Sequence, residues 1–161
     1  MLIIVSDSSD QTEAIGACLA KHLAAPVVIT LEGDLGAGKT CFVRGLVWHF
    51  DPKAPVSSPT YALAQTYETL PPVHHIDLYR VPKQDLEDLG ILHMIEDPGA
   101  IVCIEWPTKM LDLGERHISI NFSSDGISQR QLDFKFCAGF SKEWLLTLER
   151  DLLSIDARTA G

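Results

Sequence analysis

The stretch VVITLEGDLGAGKTCFVRGLVWHF, residues 27–50, decides the fold. Val27–Leu31 is a short β-branched and apolar run, the pattern of a strand buried on both faces. Gly33-Asp34-Leu35-Gly36-Ala37-Gly38-Lys39-Thr40 follows and fits G-x-x-x-x-G-K-S/T without deviation. Phe42, Val43, Leu46, Val47 and Phe50 then fall on one helical stripe. A glycine-rich turn between a strand and a helix lets successive backbone N–H groups converge on an anion without Cβ clashes. The helix presents its positive N-terminal end to the same anion. From average composition, the pattern arises by chance in about 1% of chains this long, and its strand–turn–helix setting lowers that further. This is a phosphate site of the nucleotide-binding kind: Lys39 reaches the β- and γ-phosphates and the Thr40 hydroxyl ligates Mg²⁺.

Upstream, Asp10 with Glu13 three residues later reads as a helix start. Ile15, Cys18, Leu19, His22 and Leu23 share a face, and Pro26 closes the element. Downstream the period changes. Tyr61–Tyr67 and Val73–Tyr79 read as two hairpin strands, Asp85–Ile95 as a short helix or pair of turns interrupted by Gly90, and Ile101–Ile104 as another buried strand. The alternating sets Ile118, Ile120, Phe122 and Leu132, Phe134, Phe136 predict late antiparallel strands at one edge. Trp144, Leu145, Leu148 and Leu152 predict a closing helix, with Ser154–Gly161 fraying. The sum is one α/β domain over residues 1–153 with a mixed sheet.

The chain has 161 residues, enough to bury a core without disulfides or a structural metal. Apolar residues make up 46% and charged residues 22%, as in ordinary soluble domains. Thirteen Lys and Arg against twenty-two Asp and Glu leave a net charge of −9. That balance argues against a dedicated duplex or tRNA binder, which needs a basic patch to displace phosphate counterions. No stretch approaches the roughly 20 apolar residues of a membrane span. Met1–Val5 is too short and lacks the basic lead of an export signal. Cys18, Cys41, Cys103 and Cys137 are widely spaced and are expected as free thiols of a cytoplasmic protein.

A phosphate loop alone does not separate ATPases, GTPases and kinases. The single asparagine, Asn121, is followed by Phe122, so the N-K-x-D box that reads guanine is absent. Carboxylates at strand ends near the loop are needed for metal and water. Glu105 follows the apolar run Ile101–Ile104, and Asp77 ends the less apolar Val73–Ile76. For Asp77, spacing leaves a turn or cap role as open as metal binding. Ser57-Ser58-Pro59-Thr60-Tyr61 lies at switch distance after the loop helix, where Thr60 can sense the γ-phosphate; a plain Ser/Pro loop is the competing reading. His74 and His75 are adjacent, so they point to opposite strand faces and are wrong for joint metal binding. Trp106 is either core or an aromatic over the site.

Taken in order, GDLGAGKT (33–40), SSPTY (57–61), HHIDLYR (74–80), DLEDLGI (85–91) and IEWP (104–107) resemble the TsaE (YjeE) family over about residues 7–140. These are small bacterial ATPases required for N6-threonylcarbamoyladenosine in tRNA. The resemblance implies a three-layer P-loop fold with ATP at the loop mouth. It implies that Gly36, Ala37, Gly38, Lys39 and Thr40 cradle the nucleotide phosphates, with Cys41 and Trp106 also in the nucleotide site and Mg²⁺ on Thr40, Glu105 and Asp77. Thr60 matches the first switch, Asp77 a Walker B-like acid, and Glu105 with Trp106 the second switch. The region around Ser9–Thr12, with Thr12, borders the adenine. Cys41 stands where many members have a second threonine. The family further implies TsaB and TsaD as protein partners in a complex reset by ATP hydrolysis, with tRNA met only through that complex. Two other classes remain at this level: a small-molecule P-loop kinase, although Arg44, Arg80, Arg116 and Arg130 are dispersed, and a nucleotide-gated module with negligible turnover. From its charge, the isolated chain is expected to bind tRNA weakly even at low ionic strength, which a filter-binding titration across salt concentrations checks.

Overall fold

Pleat alternation in the central strands divides the core in two. The computed structural model describes residues 1–82, 85–109, 111–124, 129–156 and 158. Its elements are β1 (Leu2–Ser6), α1 (Ser9–Lys21), β2 (Val27–Glu32), α2 (Lys39–Phe50), β3 (Ala64–Tyr67), β4 (Val73–Asp77), α3 (Ile91–Ile95), β5 (Ile101–Glu105), β6 (His117–Ser124), β7 (Arg130–Phe136) and α4 (Lys142–Leu153). In β2, Val27, Ile29 and Leu31 pack with α1, α2 and α4, while Val28 packs on the opposite face. In β5, Ile101 and Cys103 take the first face, and Val102 and Ile104 the second. The second face is covered by α3 and by Leu78, Val81 and Leu86. The result is the expected three-layer α/β fold.

The sheet runs β1-β7-β6-β2-β5-β4-β3. The four central strands β6, β2, β5 and β4 are parallel, and β3 and β7 pair antiparallel outside them. Antiparallel strands therefore flank both edges. The second edge carries a strand that sequence reading left unassigned: Leu2–Ser6 pairs antiparallel with β7, Leu2 opposite Phe134 and Ser6 opposite Arg130. It finds its partner about 130 residues away in the chain.

Helix α1 begins before the expected Asp10. Ser8 is its cap, accepting from the Gln11 backbone N–H at 3.1 Å, and the Gln11 side chain accepts from the Asp7 N–H at 2.8 Å. Ser8 and Gln11 thus satisfy the N–H groups of Gln11 and Asp7, with the cap two residues upstream of the acidic pair that suggested the start. The α1–α2 contact is set by two glycines. A Cβ at Gly16 would stand 2.1 Å from the Phe42 carbonyl oxygen, and one at Gly45 1.9 Å from that of Glu13. Backbone thus meets backbone, and α2 is pressed onto the sheet through fully buried Phe42, edge-on to Phe122 at 5.9 Å.

The fraying expected of Ser154–Gly161 does not hold for its described residues. Asp156 is buried and accepts from the Val5 N–H at 3.3 Å and the Arg158 N–H at 2.8 Å. The Arg158 guanidinium donates to the Ile3 carbonyl at 2.6 Å, tying the chain end to edge strand β1. Residue 157 and residues 159–161 lie outside the described residues.

Two predictions follow from these contacts. Gly45→Ala should destabilise the fold by about 1–3 kcal/mol in urea denaturation, the overpacking penalty outweighing a helix-propensity gain of about 1 kcal/mol. The Arg158 guanidinium and the Val5 and Arg158 N–H groups hold the Asp156 carboxyl below its usual range. Its contribution to stability is therefore complete above about pH 4 and fades as pH falls through the lowered value. Asp156→Asn should lower the urea midpoint at neutral pH and flatten its fall in acid.

Candidate functional site

The C-terminal ends of β2, β4 and β5 converge on the loop between β2 and α2. Gly38 caps α2 with φ +104°, a left-handed conformation that a side chain would strain. Lys39 opens the helix and is almost fully buried. Its ammonium donates to the carbonyls of Gly33 at 2.7 Å and Asp34 at 2.9 Å, and lies 4.3 Å from the centre of the Trp106 ring. Burial pulls the Lys39 pKa below its ordinary value, against the opposing pull of Glu105, Asp77 and Asp34.

Asp77 and Glu105 are register partners at the ends of adjacent parallel strands. Period-two alternation puts Val73, His75 and Asp77 of β4 on the same face as Ile101, Cys103 and Glu105 of β5. Both acids are about 4% exposed. Thr40 Oγ1 donates to Glu105 Oε1 at 2.9 Å, and Thr60 Oγ1 donates to Asp77 Oδ2 at 2.8 Å. Asp77 Oδ1 also accepts from the Tyr79 N–H, so the acid holds the turn after β4. Asp77 braces the turn after β4 and stands on the wall of the site. Thr60 is no plain loop residue, since it is pinned to a strand-end acid 17 positions away.

Two non-glycine residues with positive φ flank these acids, Leu63 at 65° and Trp106 at 58°. Trp106 turns out of β5 so that its ring covers Lys39 and packs at a tilt against Tyr79, with centroids 4.9 Å apart. It is therefore an aromatic over the site and not core.

The cavity between these parts has a volume of about 420 Å³. Its walls include Gly36, Gly38, Lys39, Thr40, Cys41, Thr60, Asp77, Glu105 and Trp106. Ala37 and Thr12 are not on its wall. Thr12 is fully buried, its hydroxyl bonded to Ser6 and to the Ser8 carbonyl, and its methyl packs behind Gly38; Ser9 occupies the wall instead. The Cys41 thiol points to the Ser9 carbonyl at 3.2 Å, and burial raises its pKa. Arg44 and Arg130, dispersed in sequence, both reach the cavity. Arg44 is paired with Glu13 at 2.8 Å, and the Arg130 side chain runs beside Gly38. No sequence signal pointed to either, because their common position depends on where β7 lies. A second cavity of about 430 Å³ opens at the opposite end of the sheet, near Val27 and Asp97, and holds none of these groups.

The donors facing one another are all oxygens: two hydroxyls and two carboxylates. A hard divalent cation such as Mg²⁺ takes such donors, whereas softer metals select imidazole or thiolate. His74 and His75 separate as expected, His74 bonding Asp97 at 2.9 Å and His75 bonding Glu105 at 2.8 Å.

A phosphate loop at the end of a buried parallel strand, with acids on the next two strands, defines a P-loop α/β protein. Residues 6–132 match the family described as "Threonylcarbamoyl adenosine biosynthesis protein TsaE", and the chain belongs to that family. It is 36% identical over 129 residues to a tRNA threonylcarbamoyladenosine biosynthesis protein TsaE from a Nostoc species, covering 76% of this chain and 80% of that protein. The Bacillus subtilis protein of the same name is 32% identical over 127 residues, covering 78% and 79%. The crystal structure of Bacillus subtilis YdiB superposes with a TM-score of 0.67 at 25% identity, over 92% of this chain and 94% of that one.

Proposed function

We propose that this chain is an ATP-binding and ATP-hydrolysing subunit of the machinery that makes N6-threonylcarbamoyladenosine in tRNA. It works in the cytoplasm with a TsaB–TsaD complex, which its hydrolysis resets between rounds. The observation that carries the reading is the meeting of Lys39, Thr40, Asp77, Glu105 and Thr60 on one cavity. ATP phosphates lie along the N–H groups of Gly36, Ala37 and Gly38 at the start of α2, where the helix dipole favours negative charge. Lys39 exchanges the Gly33 and Asp34 carbonyls for phosphate oxygens. Thr40, Asp77 and Glu105 would hold Mg²⁺, which would neutralise charge developing on the phosphates. Glu105 also orients the attacking water, and Thr60 couples the switch segment to the γ-phosphate. Turnover by the isolated chain is slow, as for switch NTPases whose partner completes the site. The charge of −9 fits protein partners with tRNA held elsewhere in the complex.

Lys39→Ala and Glu105→Ala should keep the fold, by urea denaturation, while lowering hydrolysis about 100-fold or more and abolishing modification in a reconstituted system. Full hydrolysis and modification by Glu105→Ala would remove this acid from the mechanism. Transfer of labelled γ-phosphate to a small acceptor would make the protein a kinase. Repeated rounds supported by a non-hydrolysable ATP analogue would make it a binding switch.

A further inference from the structure

His75 lies outside the phosphate loop and off the cavity wall, yet it touches the acid on which hydrolysis depends. Its side chain is fully buried on β4, one pleat below Asp77 and level with Cys103 of β5. Nε2 stands 2.8 Å from Glu105 Oε1, the same oxygen that accepts the Thr40 hydroxyl at 2.9 Å. Oε2 makes no hydrogen bond among the described residues, and Nδ1 is buried without a partner there. A bare ring nitrogen facing a carboxylate would be repelled, so the ring proton sits on Nε2 and donates to Oε1. A proton on Nδ1 would be a buried donor without an acceptor among the described residues, the costlier arrangement.

We infer that His75 is a positioning residue for ATP hydrolysis: it clamps Oε1 of Glu105 and so directs Oε2 at the reacting centre. The inference rests on the reading of Glu105 given above. A glutamate side chain is free to rotate about several bonds until its carboxylate is held. The Thr40 hydroxyl holds Oε1 from the loop side through its proton, which leaves its oxygen lone pairs open to a cation. His75 holds the same oxygen from inside the sheet, and the two together fix the carboxylate plane. Neighbouring His74 faces the other way, to Asp97, and provides an internal control.

Ring nitrogen NMR of the ¹⁵N-histidine-labelled full chain should show one slowly exchanging Nε2–H whose resonance moves in Glu105→Gln. Turnover is then measured with Mg²⁺ and ATP, with TsaB and TsaD present. His75→Leu should lower kcat about 10–100-fold with KM for ATP little changed, the usual loss when a group orienting a metal-site ligand is removed. His75→Gln, whose amide can still reach Glu105, should recover most of kcat, and His74→Gln should leave it unchanged. Should His75→Leu not fold, His75→Asn, whose shorter amide cannot reach, takes its place. The inference is overturned by a ring proton on Nδ1, by a resonance indifferent to Glu105→Gln, or by a kcat unaffected in His75→Leu. Equal loss in the Leu and Gln variants overturns it too. A wild-type chain that hydrolyses no ATP would sink the reading of the site, and the resonance would then decide the clamp by itself.

Discussion

Strands β4 and β5 run parallel with Asp77 opposite Glu105, and each ends on its acid just where the sheet stops. Because side chains alternate with a period of two, this one register places His75, Asp77, Cys103 and Glu105 on a single face. The same face receives α2, so the loop before α2 arrives above the two carboxylates. A slip of one residue would turn both acids toward Val102 and Ile104, into the other half of the core. Register is therefore held by apolar side chains on both faces, and the site inherits its geometry from them.

Such a site is expensive to bury. Lys39, Asp77, Glu105 and His75 are all nearly or fully enclosed. Isolated charges in that setting would cost several kcal/mol each, and they persist because each has partners. Lys39 has two carbonyls and an indole face, and Asp77 has Thr60 and a backbone N–H. Glu105 has Thr40 and His75. Lys39 meets Trp106, Thr40 bonds Glu105 and Thr60 bonds Asp77, all around one cavity. The positive-φ residues Leu63 and Trp106 lie beside the two acids.

Much of this was legible in one dimension. Phosphate-loop residues declare themselves because their chemistry requires small residues, a lysine and a hydroxyl at fixed local spacing. Glu105 follows the apolar run Ile101–Ile104 and reads as a strand-end acid for the same local reason. Asp77 and Thr60 were ambiguous, since a carboxylate after a mixed strand and a threonine after a proline have many uses. The hydrogen bond between them brings both onto one cavity wall. Edge strand β1 escaped notice because its five residues acquire meaning only beside β7. Ser8 lost the helix start to Asp10 because two overlapping cap patterns compete there. The docking of Asp156 onto Val5 joins chain ends that no local rule connects.

The sequence by itself determined that this protein has a G-x-x-x-x-G-K-T loop between a buried strand and an amphipathic helix, and that it carries a net charge of −9. Those are properties of composition and of spacings shorter than ten residues, which the chain carries before it folds. Only the tertiary structure decided that Arg44 and Arg130 share one cavity, that Thr12 stands behind the loop while Ser9 faces it, and that His75 grips Glu105 across two strands. Each of those depends on which strands become neighbours and in what register, and that is settled by burial over the whole sheet.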